Sequence, residues 1–257
     1  MSFKVVIPAR YASTRLPGKP LLEIHGKPMV QWVIDAAFQS EANEVFVATD
    51  DARIANAAIH PLTKQSVAVM TSENHLSGTD RIAEVALQKN WSAETVVVNV
   101  QGDEPQMPPH LINQVAQLLL DNPRAHMSTL CAPISSLEEF MNPNVVKVVT
   151  TDSGLALYFS RAPIPWHRDS APNGLSTQSK FDGSLRHLGI YAYRVDALLR
   201  LTQTTPKTLE LAESLEQLRA LQAGMNIAIA TAIVPPGQGV DTPQDIERIR
   251  NQFSQLA

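Results

Sequence analysis

The chain has 257 residues, a formal net charge of −4 and one cysteine, Cys131. That length supports one large hydrophobic core, the acidic balance argues against a nucleic-acid partner, and a lone cysteine excludes an internal disulfide. No apolar run approaches a membrane span, and Lys4 opens a strand-like run rather than a charged leader, so a cytoplasmic protein with no membrane partner is expected.

The β-rich run Lys4-Val-Val-Ile7 reads as a buried first strand. It leads into Pro8-Ala-Arg-Tyr-Ala-Ser-Thr-Arg-Leu-Pro-Gly-Lys19, which holds the cations Arg10, Arg15 and Lys19 and the hydroxyls Ser13 and Thr14. Arg offers a planar fork of donors and Lys a point charge, both suited to phosphate oxygens. Gly18 allows close backbone approach, and Pro17 stiffens the turn. The pattern is not a Walker loop. Charge alone fits a solvated basic loop equally well. A loop leaving the end of a first strand, however, sits where open α/β sheets bind ligands, and that favours anion binding.

Val30, Val33, Ile34 and Ala37 recur at helical spacing between Met29 and Gln39, and Glu44–Thr49 reads as the second strand. The resulting βαβ unit makes the sheet at least partly parallel. A short helix after Asp51 and a third strand at 67–70 follow. Ser77-Gly-Thr79 opens a helix through Ile82, Val85 and Ala86, where ordinary capping and anion binding at a helix N-terminus are both compatible with the residues. Thr95-Val-Val-Val-Asn-Val-Gln-Gly-Asp-Glu-Pro105 is a central apolar strand ending in polar residues. Asp103 just beyond it suits either a turn or a hard divalent cation.

Further along, 108–122 is an amphipathic helix and 127–133 a strand; Ser136-Leu-Glu-Glu139 caps a short helix, and 145–150 is a strand carrying Lys147 as an edge-strand charge. Leu157–Ser160 and Leu185–Tyr193 are strands separated by a long polar excursion over 167–183, which suggests an antiparallel lobe outside the main sheet. One amphipathic helix is expected over 209–223 and a strand over 227–234. Thr242-Pro243 then starts the last helix, with Asp241 immediately before the cap.

The run Arg10-Tyr-Ala-Ser-Thr-Arg-Leu-Pro-Gly-Lys-Pro-Leu22, with Gly26-Lys-Pro-Met29 and Gln101-Gly-Asp-Glu-Pro105, resembles the sugar nucleotidyltransferases that activate acidic sugars with CTP. More narrowly, it is similar to the cytidylyltransferases of 3-deoxy-manno-octulosonate (Kdo) from Gram-negative lipopolysaccharide synthesis. The resemblance covers nearly the whole chain. It implies an α/β, Rossmann-like nucleotidyltransferase fold: a mostly parallel central sheet flanked by helices, in one domain, with residues 134–200 forming a smaller antiparallel lobe and homodimer surface.

The same resemblance implies CTP and Kdo as substrates and Mg²⁺ as cofactor. It assigns Ala9, Arg10, Ser13, Arg15, Lys19, Ser77, Gly78, Arg81 and Gln101 to the nucleotide, and Asp103 and Asp241 to the metal, with Lys19 and both aspartates catalytic. Arg161, His187, Tyr191, Glu216 and Gln217 fall to the sugar, Arg161 as the bidentate partner of its carboxylate, and the resemblance would also bring Lys147 towards the active site. A related acid such as 8-amino-Kdo or sialic acid, and a catalytically silent nucleotide-binding protein, remain alternatives to Kdo transfer.

Overall fold

The structure, a computed structural model, describes residues 2–12, 16–237 and 239–254. Phe3, Val5, Val6 and Ile7 are fully buried, so β1 (Phe3–Pro8) is covered on both faces, as a central strand of a parallel sheet must be. A small hairpin of β2 (Glu23–Ile24) and β3 (Lys27–Pro28) leads into α1 (Met29–Phe38). The chain returns as β4 (Glu44–Thr49), parallel to β1, then passes through α2 (Ala52–Ala57) to β5 (Ala68–Met70), parallel to β4. Helix α3 (Gly78–Gln88) crosses back to β6 (Val96–Asn99), which pairs in parallel with the other side of β1.

After α4 (Pro109–Leu120), β7 (Met127–Pro133) and the short α5 (Leu137–Met141), strands β8 (Lys147–Thr150) and β9 (Ala156–Ser160) form an antiparallel pair. The long strand β10 (Leu185–Arg194) inserts antiparallel between β6 and β7. Its first residues also pair with β8. Three helices follow, α6 (Val195–Gln203), α7 (Thr208–Glu213) and α8 (Gln217–Gln222), then β11 (Ile227–Thr231), parallel to β7, and α9 (Pro243–Ser254). The central order is β11-β7-β10-β6-β1-β4-β5. The fold is therefore the expected α/β architecture, with a mostly parallel sheet and a smaller antiparallel pair.

Alternation of side chains across the sheet builds two apolar layers. Phe3, Val5 and Ile7 pack with Val30, Val33 and Ile54 and with Leu111, Ile112 and Val115, which sets α1, α2 and α4 on one face. Val6 and Val97 pack with Ile82, Val85, Leu198 and Leu218, which sets α3, α6 and α8 on the other. A third cluster of Ile24, Met29, Val240, Ile246 and Ile249 docks α9 beside the β2–β3 hairpin. Trp32 and Phe253 extend it, with ring centroids 4.5 Å apart.

Three details differ from the sequence expectation. The helix expected over 209–223 is two helices meeting at Ser214, which takes a left-handed backbone conformation (φ 51°). Tertiary bonding wins there over helical periodicity: the Arg161 guanidinium donates to the carbonyls of Glu213 (2.6 Å) and Ser214 (3.5 Å), which a continuous helix would use internally. Lys147 is not an edge charge, since β8 lies between β9 and β10; fully buried, it donates to the carbonyls of Asn142 (2.8 Å) and Val145 (2.5 Å). The β8–β9 pair is not detached from the main sheet but grows out of β10.

Candidate active site

Two cavities open over one end of the central sheet. The first, of about 280 Å³, lies beyond the C-terminal ends of β1 and β6, the usual ligand crevice of an open α/β sheet. Ala9, Arg10 and Lys19 line it from the loop after β1, Ser77, Gly78 and Arg81 from the start of α3, and Gln101 and Asp103 from the loop after β6. Asp241 closes it from the segment before α9. Ser13 and Arg15 lie outside the described residues.

The crevice is narrow because backbone approaches backbone. A Cβ on Gly102 would sit 2.9 Å from the Pro8 carbonyl oxygen, so only glycine lets the loop after β6 lie against the end of β1. Helix α3 starts with a capping box. The Ser77 hydroxyl accepts from the Asp80 N–H (3.1 Å), and the Asp80 carboxylate accepts from the Ser77 N–H (3.0 Å). Ser77 is thus both a cap and a wall of the crevice. Arg81, 3% exposed, is locked by Asp50, by the Thr71 hydroxyl (2.8 Å) and by the Ser72 carbonyl (3.0 Å). Such a guanidinium presents a fixed edge to a ligand.

Lys19 joins the acidic residues. Its Nζ lies 2.7 Å from Asp103 Oδ2 and 3.4 Å from Asp241 Oδ1, with its side chain only 12% exposed. Asp103 is held in turn by main chain, its carbonyl accepting from the Val240 N–H. Beside this pair is Glu104, a residue to which sequence reasoning gave no role. Burial foremost, and then the charges of Asp103 and Asp241, push its carboxyl up to about 7, against the opposing pull of Lys19.

The second cavity, of about 360 Å³, shares Ser77, Gly78 and Gln101 with the first and extends towards β10 and α8. His187, Tyr191, Glu216 and Gln217 line it. A bulge in β10 between Leu188 and Tyr191 shifts the register between the two cavity-lining side chains that β10 supplies, His187 and Tyr191, with Gly189 in the wall. His187 is held down to about 3 by burial and is therefore neutral. The Thr129 hydroxyl lies within hydrogen-bond distance of the Ile190 carbonyl (2.7 Å), the Leu188 carbonyl (3.1 Å) and His187 Nε2 (2.9 Å), which fixes the ring at the cavity edge. Glu216 accepts from the Thr79 hydroxyl and pairs with Arg219 at 3.2 Å. Tyr191 Oη is buried with no hydrogen-bond partner among the described residues, as expected of a group that meets a ligand hydroxyl.

Arg161 lines neither cavity. Its guanidinium is spent on the carbonyls of Pro143, Glu213 and Ser214, and its N–H donates to Glu213 Oε2 at 2.8 Å. These bonds tie it to the Glu213–Ser214 turn, which immediately precedes the cavity-lining residues Leu215, Glu216 and Gln217. Asn99 and Tyr193 do line that cavity and went unread in the sequence, and so does Thr79, read there only as part of a helix start. The signal available was modest: a polar residue ending an apolar strand, and a tyrosine two positions from Tyr191 on the same face.

A doubly wound sheet with cations and carboxylates gathered at its C-terminal edge defines a nucleotidyltransferase-type site, and the comparisons narrow it. A family described as "Cytidylyltransferase" matches residues 4–227. A 3-deoxy-manno-octulosonate cytidylyltransferase of Alcanivorax borkumensis is 53% identical over 256 residues, covering 98% of this chain and 99% of its own. The protein of that name from Thioalkalivibrio sulfidiphilus is 51% identical over 249 residues, covering 97% and 98%. A solved CMP:2-keto-3-deoxy-manno-octonic acid synthetase complexed with CTP superposes with a TM-score of 0.87 at 42% identity, covering 100% of this chain and 99% of its own. A Leptospira borgpetersenii cytidylyltransferase, 17% identical with a TM-score of 0.62 over 100% of this chain and 87% of its own, shares the fold. The chain belongs to the cytidylyltransferase family, in its 3-deoxy-manno-octulosonate branch.

Proposed function

We propose that this protein transfers CMP from CTP to Kdo, giving CMP-Kdo and pyrophosphate for lipopolysaccharide synthesis. The observation that carries this reading is the shared wall of the two cavities. Ser77, Gly78 and Gln101 belong to both, so a nucleotide in the first and an acceptor sugar in the second meet end to end. The crevice takes CTP, with Arg10 and Lys19 facing its phosphates. His187, Tyr191, Glu216 and Gln217 take the sugar hydroxyls in the second cavity.

The donor set fits Mg²⁺. Asp103 and Asp241 already converge on one positive charge, and their negative potential is felt by the neighbouring Glu104, whose carboxyl they help to push up to about 7. Among the described residues no group of three or more His, Cys, Asp or Glu side chains forms a metal cage. One or two carboxylates completed by substrate phosphates and water is the usual Mg²⁺ arrangement. Asp103 and Asp241 would hold the ion, which when bound neutralises phosphoryl charge and makes the attacking hydroxyl more acidic.

The anomeric hydroxyl of the sugar attacks the α-phosphorus; the new P–O bond forms as the bond to pyrophosphate breaks, and the hydroxyl proton passes to solvent water. The chain's own contribution is positional and electrostatic. Lys19 and Arg10 meet charge growing on the phosphates, and the neutral His187 ring and the Tyr191 hydroxyl fix the acceptor. Leu157 on β9 and Leu211 on α7, 58% and 68% exposed, are apolar side chains that a homodimer through the lobe would cover. Sedimentation of the purified protein as a monomer at micromolar concentration would remove the dimer.

Pyrophosphate release measured with each of the four nucleoside triphosphates against a panel of sugar acids tests the activity. Release with CTP and Kdo, dependent on Mg²⁺, is expected. A preference for 8-amino-Kdo or sialic acid, or no release with any pair, overturns the assignment.

A further inference from the structure

We propose that Lys19 is the resident counter-ion of the Asp103–Asp241 pair, and that its ammonium gives up this place to the divalent cation and turns to the nucleotide phosphates. The inference rests on the reading of the two aspartates as metal ligands, and it adds a second post for Lys19 besides phosphate contact.

The geometry carries it. Nζ is within 2.7 Å of one carboxylate and 3.4 Å of the other, so the ammonium sits between the oxygens that a cation would bridge. A divalent ion bound to both would lie at about 2.1 Å from its oxygens, inside the space that Nζ fills. Two cations cannot occupy it together. The exchange needs only side-chain motion. The Lys19 N–H donates to Leu16 O (3.1 Å), its carbonyl accepts from Leu22 N–H (3.1 Å), and Gly18 before it is fixed in a left-handed turn (φ 70°) closed on Tyr11 O (3.0 Å). The four-carbon stem is then the mobile part, and Arg10, a second cation suited to phosphate, lines the same crevice.

Main-chain bonding also holds the pair together. Val240 N–H bonds the Asp103 carbonyl at 2.9 Å, and Val240 is itself buried in the α9 cluster, so the carboxylates stay near each other whatever lies between them. Lys19 offsets their mutual repulsion and competes with free cations. Metal therefore enters well only when phosphates offer the ammonium another anion, which couples the two ligands through one side chain.

The test is Mn²⁺ binding to nucleotide-free protein, read from loss of the free-ion electron paramagnetic resonance signal, in wild type, Lys19→Met, Arg10→Met and Asp103→Asn. Lys19→Met is expected to bind Mn²⁺ about tenfold or more tightly than wild type, since a unit charge at contact distance in a half-exposed site is removed. Arg10→Met should change affinity far less. Thermal shift by Mn²⁺ gives a second reading and a check on folding, and should be largest in Lys19→Met. Equal or weaker Mn²⁺ binding in Lys19→Met, or an equal gain in Arg10→Met, overturns the exchange. Wild-type binding that Asp103→Asn abolishes, with no gain in Lys19→Met, sinks the exchange alone. Binding indifferent to Asp103 in every form, even with CTP added, sinks the metal reading beneath it.

Discussion

The backbone amide of Val240 hydrogen-bonds the backbone carbonyl of Asp103 at 2.9 Å, and this bond registers the segment before the last helix against the loop after β6. It brings Asp241 to Lys19 although the two carboxylates come from distant parts of the chain. The apolar docking of α9 through Ile246 and Ile249 keeps the bond in place. Ile249→Ala is expected to cost about 2–5 kcal/mol of local docking energy, as large-to-small core changes do. The visible result should be a fall in turnover and a higher Mg²⁺ requirement, with little loss of far-ultraviolet circular dichroism. Unchanged kinetics at full occupancy of the fold would show that α9 is not what positions Asp241.

Asp103→Asn and Asp241→Asn should each lower kcat by about 10² or more, the scale seen when one transition-state stabiliser is removed. Mg²⁺ titrations of the pyrophosphate-release rate check this. A variant with the wild-type rate and Mg²⁺ dependence would take that aspartate out of the site.

Glu104 should make the metal-free protein less stable at alkaline pH. Its carboxyl moves from an ordinary value of 4.5 to about 7 in the fold, so between those values the native state holds a proton that the unfolded chain has released. The penalty for the buried charge is absent below about pH 4.5, grows through the window and is complete above about pH 7, on the order of 3 kcal/mol. Glu104→Gln should therefore raise the melting temperature at pH 8 in chelator, and by much less at pH 5. An equal gain at both values, or none at pH 8, contradicts this.

Tyr191→Phe removes a buried hydroxyl that has no partner among the described residues, so stability should hold or rise slightly. KM for the sugar should increase by roughly 3- to 10-fold, the worth of one neutral hydrogen bond, while KM for CTP stays put. Calorimetric unfolding and steady-state kinetics give both numbers. A large loss of stability with no change for the sugar would mark Tyr191 as a packing residue.

Arg161→Ala should act at one remove. The carbonyls of Pro143, Glu213 and Ser214 lose their donor, the α7–α8 corner loosens, and Glu216 and Gln217 move with it. Sugar KM should rise together with a lower melting temperature. Arg161→Lys should recover only part of both, since an ammonium cannot reach three carbonyls in a planar fork. Loss of CTP affinity instead would put Arg161 in the wrong part of the site.

The lining of the first cavity was legible in part because Arg10 follows β1, Asp103 follows β6 and Ser77 starts a helix, while what tied these residues to a nucleotide and a metal was the family resemblance. Short-range rules govern such positions. The sugar side was less so, since it depends on β10 entering antiparallel between β6 and β7, a long-range pairing that no local pattern specifies. Glu104 is plain in the sequence, but its burial is not. Ser214 breaks a good helical stripe with neither Gly nor Pro, through bonds to Arg161 some fifty positions earlier. Lys147 read as an edge charge because a lysine is rarely fully buried, and the Asn142 and Val145 carbonyls that satisfy it come from a turn invisible to periodicity.

Because β10 is at once a rung of the central sheet and the root from which β8 and β9 extend, the small lobe is not a cassette. Grafting it onto another nucleotidyltransferase frame would mean transplanting a strand that threads the recipient's own core. With the sugar in the second cavity as proposed, altering acceptor preference is a matter of side chains along one strand and one helix corner, not of exchanging a module.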